Sequence, residues 1–350
     1  MAESGIYTQE EIFSQPEAWQ AALEVLNNHR QEIISFFQKR RYEQVIFTGC
    51  GSTYYLALSA AALFQELSGF PGRAFPASEL WLYPRSSYPQ KSRVLLIAVS
   101  RSGATTETLR ACEAFKASGR GELVTLSCYD DQPLASLGNL NLVLPSGAER
   151  SVAQTRAFST LYLAAIALAA LWYEPAGLYP ELERLPDVCC RILERDADLL
   201  RGLGRERSLE RFYFLGSGPR YGLACELSLK MKEMSLSHSE PFHFLEFRHG
   251  PQSMVTGETL VVGLVSQHNR KPELAVLDEM RTRGARILNI GDRVADVLLE
   301  AKLSEVASNL LYLPAGQLLA FERSLDRGLD PDTPHGLSAV VELVDVDVPG

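Results

Sequence analysis

Runs of consecutive apolar residues recur along the chain at 44–48, 72–76, 93–99, 122–127 and 140–144, and again at 211–215, 235–239, 259–265, 285–290 and 308–313. Each run has the length of a strand, and helical patterns such as Thr106 to Ser118 and Lys271 to Arg283 lie between them. Strands without alternating polar positions, separated by helices, predict a mostly parallel sheet covered on both faces. A helix over 17–40, introduced by Gln15-Pro16, precedes the first set of strands, and a charged amphipathic helix over 180–205 joins the two sets. Gly316 to Arg327 reads as a last helix, followed by an extended tail. The longest apolar run, Leu161 to Tyr173, is short and alanine-rich for a membrane span, so a buried core helix is expected.

The two sets are one unit read twice. Residues 44–57 (QVIFTGCGSTYYLA) and 211–224 (RFYFLGSGPRYGLA) each give a strand, a G-x-G turn and the start of a helix, 167 residues apart. Residues 77–80 (ASEL) find a counterpart at 238–241 (HSEP), an offset of 161, and 94–100 (VLLIAVS) pairs with 260–266 (LVVGLVS), an offset of 166. Nearly constant spacing at three anchors predicts a duplicated domain. The expected fold class is α/β: two flavodoxin-like, three-layer αβα sandwiches with parallel sheets and ligands at the carboxyl ends of the strands.

Composition narrows the partners. A net charge of −9 argues against a broad nucleic-acid footprint, which needs a basic face. A small anion remains admissible, because a local nest of N–H groups binds phosphate on an acidic protein. The six cysteines show no C-x-x-C pair and no zinc-like spacing, so no metal and no cofactor are expected. The start, MAESGIYTQEE, lacks the basic and apolar regions of a signal peptide, and the expectation is a soluble, cytoplasmic protein without membrane contact.

Three places carry chemistry. Ser100-Arg101-Ser102-Gly103-Ala104-Thr105 follows the run 93–99 directly and opens a helix at Thr106. Backbone N–H groups, three hydroxyls and a helix N-terminus then converge on one point, an arrangement that binds a phosphate monoester. The same residues could simply make a turn and cap a helix. A second loop, Gly49-Cys50-Gly51-Ser52-Thr53, weighs against that reading. It lacks the third glycine of a dinucleotide fingerprint, and its glycines let the backbone approach a sugar while Ser52 and Thr53 donate to its oxygens. The second half has Ser266-Gln267-His268-Asn269 in place of the phosphate loop, and titratable groups instead. Glu226, Lys230 and Glu233, spaced i, i+4, i+7, share one face of a largely buried helix. His249, in a turn after that helix, is a candidate acid/base. Such groups suit metal-free aldose–ketose interconversion: ring opening, then proton transfer between C1 and C2 by one carboxylate.

These motifs resemble the sugar-isomerase (SIS) family, in particular the isomerase portion of glucosamine-6-phosphate synthases and the stand-alone glucosamine-6-phosphate deaminases and ketose/aldose isomerases. The marks are GCGST (49–53), ASEL (77–80), SRSGATTET (100–108), VAQTRAF (152–158), ELSLKMKE (226–233), EFRHGP (246–251) and PDTPHGLSAVVE (331–342), spread over almost the whole chain. The resemblance implies two SIS domains in an obligate homodimer with shared active sites. It implies phosphate binding by Ser100, Arg101 (main chain), Ser102 and Thr105, and sugar contacts by Cys50, Gly51, Ser52, Thr53 and the Val152-Ala153 backbone. Glu233 matches the proton-transfer base, Lys230 its assisting lysine, and His249 the ring-opening histidine given across the dimer interface. The expected organisation is an N-terminal helical segment (1–40), a phosphate-binding SIS domain (41–180), a linker helix (181–206), a second SIS domain with the catalytic residues (207–330), and a tail closing the active site (331–350).

No glutaminase domain precedes Glu11 in this sequence, so an enzyme other than a complete glutamine-dependent synthase is expected. The small-molecule partner expected is a phosphosugar, a hexose or hexosamine 6-phosphate, with ammonia released from an amino sugar. Alternatives are a deglycase for phosphorylated sugar–amine adducts and a non-catalytic sugar-phosphate sensor. The sequence departs from the family pattern at one place. The family usually carries a lysine two residues after the leucine of the tail motif, where this chain has Ala339 after Leu337 and Ser338. A Schiff base from that position is therefore not available.

Overall fold

A computed structural model describes residues 4–38, 41–89, 91–173, 177–299 and 302–340. Strands β1 (Gln44–Gly49), β2 (Gly72–Pro76), β3 (Val94–Val99), β4 (Gly121–Ser127) and β5 (Leu140–Val143) form one sheet in the order β2-β1-β3-β4-β5. Strands β6 (Arg211–Leu215), β7 (His238–Phe242), β8 (Thr259–Leu264), β9 (Arg286–Gly291) and β10 (Val297–Leu298) form the other, in the order β10-β9-β8-β6-β7. Read from its β7 edge, the second sheet repeats the strand order of the first. Every pairing is parallel. The central strands β1, β3 and β8 are buried along their whole length, which is why the sequence shows continuous apolar runs there. Strand order reverses beside β1 and beside β6, and the crevices at those carboxyl ends are where such sheets bind ligands.

Two expectations about strands are corrected. The run 235–239 is a strand only at its end: the Arg220–Ser235 helix continues to Ser235, Leu236 closes it in the left-handed region (φ 52°), and β7 starts at His238 and runs on to Phe242. The run 308–313 is helical, leading into the Tyr312–Asp326 helix, and the fifth strand of the second sheet is the two-residue β10. Leu310, Leu311 and Leu313 are fully buried. An apolar run enclosed on every side reads alike as buried helix or buried strand. The N-terminal helix of the sequence reading is resolved into Gln15–Asn28 and Arg30–Gln38, preceded by Ile6–Phe13. The linker helix begins at Leu185, after a short helix at Leu178–Leu182.

The largest core cluster runs through both halves, joining residues such as Phe64, Phe158, Leu223 and Leu319, while smaller clusters cover the outer face of each sheet. The Arg156–Tyr173 helix, long and apolar enough to cross a membrane, lies mostly buried in that shared core. The duplicated helices Ser52–Ser68 and Arg220–Ser235 cross in close contact. A Cβ on Gly222 would lie 2.4 Å from the Tyr55 carbonyl oxygen, so only glycine permits this approach. The Ser59 hydroxyl donates to the Pro219 carbonyl at the same crossing (2.7 Å). Across this contact the start of the first helix, at the carboxyl end of β1, lies against Lys230, well along the second helix.

Candidate functional site

The loops after β1 and β3 leave the first sheet side by side, because those strands are neighbours. In the loop after β3, the hydroxyls of Ser100, Ser102 and Thr105 form a triangle with sides of 3.5, 3.3 and 3.3 Å. The Ser100 hydroxyl accepts from the Gly103 amide (3.1 Å) and the Ser102 hydroxyl from the Ala104 amide (3.2 Å). Gly103 sits at φ 68°, the left-handed turn that lets the chain enter the Thr106–Ser118 helix. Three hydroxyls at one helix N-terminus can surround an anion. The Arg101 side chain turns away from the triangle and is 5% exposed.

In the loop after β1, the Thr53 hydroxyl accepts from the Cys50 amide and donates to the Cys50 carbonyl, both at 2.9 Å. Gly51 adopts φ 54°, ψ −122°, and a Cβ there would meet nothing within 4 Å, so this glycine serves the backbone turn. The Cys50 sulfur lies 3.5 Å from the Thr108 hydroxyl, tying this loop to the helix behind the hydroxyl triangle. Burial pushes the Cys50 thiol up, so it stays protonated.

Ser52 connects the halves, since its hydroxyl accepts from Lys230 Nζ (3.2 Å). Lys230 is fully buried on the Arg220–Ser235 helix, between Glu226 (3.4 Å) and a closer partner, Glu233. Burial pushes the Glu226 carboxyl up to about 8, outweighing the attraction of Lys230. For Lys230, burial acts to lower the pKa, but Glu226 and Glu233 together hold it above the ordinary lysine range. The lysine is therefore cationic, Glu226 largely neutral at pH 7, and Glu233, with a side chain 20% exposed, is the member that opens to solvent. A carboxylate beside a buried cation and partly open to solvent can take and return a proton.

His249 does not join this cluster within one chain. It is exposed, after the short turn Glu246–Arg248, and among the described residues no hydrogen bond or ion pair links its ring to Lys230 or Glu233. The Val152-Ala153 backbone is committed within the protein: the Val152 amide donates to the Asp332 carbonyl (2.9 Å) and its carbonyl accepts from Arg101 (2.9 Å). The Ala153 carbonyl accepts from the Ser151 hydroxyl (3.0 Å). The tail is described as far as Val340, so the last two residues of its motif lie outside the described residues.

The matching loop of the second half shows why the hydroxyl triangle occurs once. The Ser266 amide, at the end of β8, donates to the Glu273 carboxylate (2.6 Å), and Glu305 pairs closely with both Arg220 and His268. Carboxylates of the chain itself occupy this second helix N-terminus. Sequence reasoning missed this filling, and it missed the buried carboxylates Glu11 and Glu149 beside Arg101 and Ser151. Glu11 and Glu149 lie far apart in the sequence, with no periodic signal that could pair them.

Comparisons agree with this architecture. The tagatose-6-phosphate ketose/aldose isomerase of Escherichia coli is 26% identical with a TM-score of 0.86, covering 94% of this chain and 96% of its own. The glucosamine-6-phosphate deaminase of Thermotoga maritima is 27% identical with a TM-score of 0.81, covering 96% and 100%. The glutamine–fructose-6-phosphate aminotransferase (isomerizing) of Methanothermobacter thermautotrophicus is 30% identical over 98% of this chain, which spans 59% of that relative's length. The SIS domain model matches at residues 38–171 and again at 207–310, one match for each sheet. On the strength of that double match and of the relatives aligned along nearly its whole length, this chain belongs to the SIS domain family.

Proposed function

We propose that this protein is a metal-free phosphosugar isomerase acting on a hexose or hexosamine 6-phosphate, releasing ammonia when the substrate is an amino sugar. The observation that carries the reading is Ser52, which joins the loops beside the hydroxyl triangle of one half to the Lys230–Glu233 pair of the other. In this reading Ser100, Ser102, Thr105 and the Arg101 main chain hold the phosphate. Cys50, Gly51 and Ser52 face the sugar, with Thr53 bracing their loop from behind and Ala153 closing the far side through its backbone. The anchored phosphate directs the open-chain carbonyl toward Glu233.

Glu233 removes the proton from C2 of the open-chain aldose, the C1 carbonyl oxygen takes the developing negative charge, and an enediol forms. Return of that proton from Glu233 to C1, as the C2 hydroxyl gives its proton to the C1 oxygen, leaves the C2 ketone and C1 hydroxyl of the ketose. From a 2-amino sugar the same shift leaves an imine at C2, and water converts it to the ketone and ammonia. Lys230, the buried cation paired with Glu233, stabilises the oxyanion that follows. Ring opening falls to His249, whose exposure supports its donation to the site of a second copy in a homodimer. Phosphorylated sugars are cytoplasmic metabolites, and the cytoplasm is the proposed place of action.

Incubation with glucosamine 6-phosphate should give fructose 6-phosphate and ammonia, and folded protein that converts no hexose or hexosamine 6-phosphate would overturn the reading. A second reading, a sugar-phosphate sensor, has Ala339 in its favour, since the tail offers no amine for covalent capture. Thermal stabilisation by sugar phosphates without turnover would select the sensor.

A further inference from the structure

We propose that the Arg101 side chain is a positioning residue that seats the tail over the phosphate loop and couples tail closure to phosphate binding. Arg101 stands between Ser100 and Ser102, yet its guanidinium leaves the hydroxyl triangle. One of its nitrogens donates to the carbonyls of Ser151 (3.1 Å) and Val152 (2.9 Å), and another to the carbonyl of Ala339 (3.0 Å). The Glu149 carboxylate, fully buried, lies 3.5 Å away and balances the charge. Glu149 is itself held by the Thr155 amide (2.8 Å) and hydroxyl (2.9 Å). One planar group thus ties together the phosphate loop, the segment 149–152 and the tail. Arginine suits this role because its fork of donors is rigid and permanently charged.

The remainder of the tail makes this bond decisive. Asp332 fixes the start of the segment, accepting from the amides of Tyr7 (3.1 Å) and Thr8 (2.7 Å) and from the Thr8 hydroxyl (2.7 Å). Residues 335–339 are then exposed. Among the described residues after Asp332, Ala339 is where a hydrogen bond returns the tail to the first half. A cleft of about 220 Å³ beside Ser102 and Ala104 is bounded by Ala339 and Val340. A phosphate held by the Ser100 and Ser102 hydroxyls and the Arg101 amide would fix the backbone that carries this guanidinium. The seated tail would in turn be stabilised, as linkage requires. Closure then answers to the phosphate group rather than to the sugar.

The proposal rests on reading 100–105 as the phosphate site, and its test separates the two. Hydrogen–deuterium exchange is followed in peptides covering 333–340 for the wild type, Arg101→Gln and Arg101→Lys, with and without inorganic phosphate or glucose 6-phosphate. Without ligand, both variants should exchange the Leu337 amide, which donates to the Pro334 carbonyl in the seated tail, faster by up to about tenfold, the effect of losing a charge-assisted hydrogen bond, while the sheets keep their protection. Phosphate should slow tail exchange in the wild type and not in Arg101→Gln. Arg101→Lys keeps the charge opposite Glu149, so it carries the comparison should the glutamine variant loosen the whole molecule. By the same linkage, Arg101→Gln should bind phosphate compounds more weakly than the wild type, and kcat should fall. Tail exchange identical in wild type and Arg101→Lys would overturn the proposal. So would lost phosphate binding with an unchanged tail, which would make Arg101 a direct phosphate ligand. If the wild type binds no phosphate compound, the phosphate reading fails, while tail exchange in the free protein still reports on Arg101.

Discussion

Glu226 offers a test of the site's electrostatics that needs no substrate. Its carboxyl is fully buried and pushed up to about 8, against 4.5 for the ordinary group. Between those values the folded protein holds a proton that the unfolded chain has released. Stability therefore falls as pH rises through the window, at up to about 1.4 kcal/mol per pH unit from this one group. From pH 5.5 to 7.5 the loss amounts to about 2–3 kcal/mol, with the sign opposite to that of a salt-bridged carboxylate. Glutamine has the shape of the neutral acid and cannot ionise, and Lys230 keeps Glu233 as its partner. Glu226→Gln should then be close to neutral at pH 5.5 and should remove that downward slope. Urea unfolding of both proteins at half-unit steps from pH 5 to 9 gives the difference curve, which should rise with pH and level off above about 8. A constant offset across the range would show that Glu226 is already ionised at pH 5.5 and would refute the argument.

Other outcomes follow from the same geometry. Ser102→Ala and Thr105→Ala should weaken sugar-phosphate binding in calorimetry far more than Glu233→Gln does, whereas Glu233→Gln should abolish turnover and leave binding intact. Gly222→Val places side-chain atoms against the Tyr55 carbonyl and should cost about 1–3 kcal/mol of stability in denaturant melts. It should also reduce activity, because the crossing it disturbs holds Ser52 against Lys230. If His249 serves the partner's site, inactive His249→Asn and Glu233→Gln proteins that are unfolded together and refolded should regain activity, up to about a quarter of wild type for random pairing in a two-fold dimer. Mixtures that stay inactive would place His249 in the site of its own chain.

The duplicated sheets were legible because buried parallel strands leave an unbroken apolar signature, and because a repeat gives each half a template for the other. The limits of the strands were less so. Ser235, Leu236 and Ser237 alternate like a strand, but a helix end with Leu236 in the left-handed region uses the same residues. The run 308–313 is equally apolar as helix or strand, and its enclosure by both halves is a tertiary fact. The Glu226–Lys230–Glu233 spacing showed a shared helix face, and the nearby Leu223, Leu227 and Met231 placed it inside. The pairs Arg101–Glu149 and Ser151–Glu11, like the carboxylates filling the second helix N-terminus, join residues that only the folded chain brings together.

In the proposed reaction a phosphate held by one half presents a sugar to Glu233 of the other for proton transfer between C1 and C2. Incubation of hexose and hexosamine 6-phosphates in deuterium oxide, followed by proton NMR at C1 and C2, reads that step without requiring net product. The wild type should exchange the C2 proton of the aldose, or one C1 proton of the ketose. Glu233→Gln should exchange neither, and the unphosphorylated sugars should not exchange at all. Absence of exchange with every sugar phosphate that binds, or exchange that persists in Glu233→Gln, would contradict it.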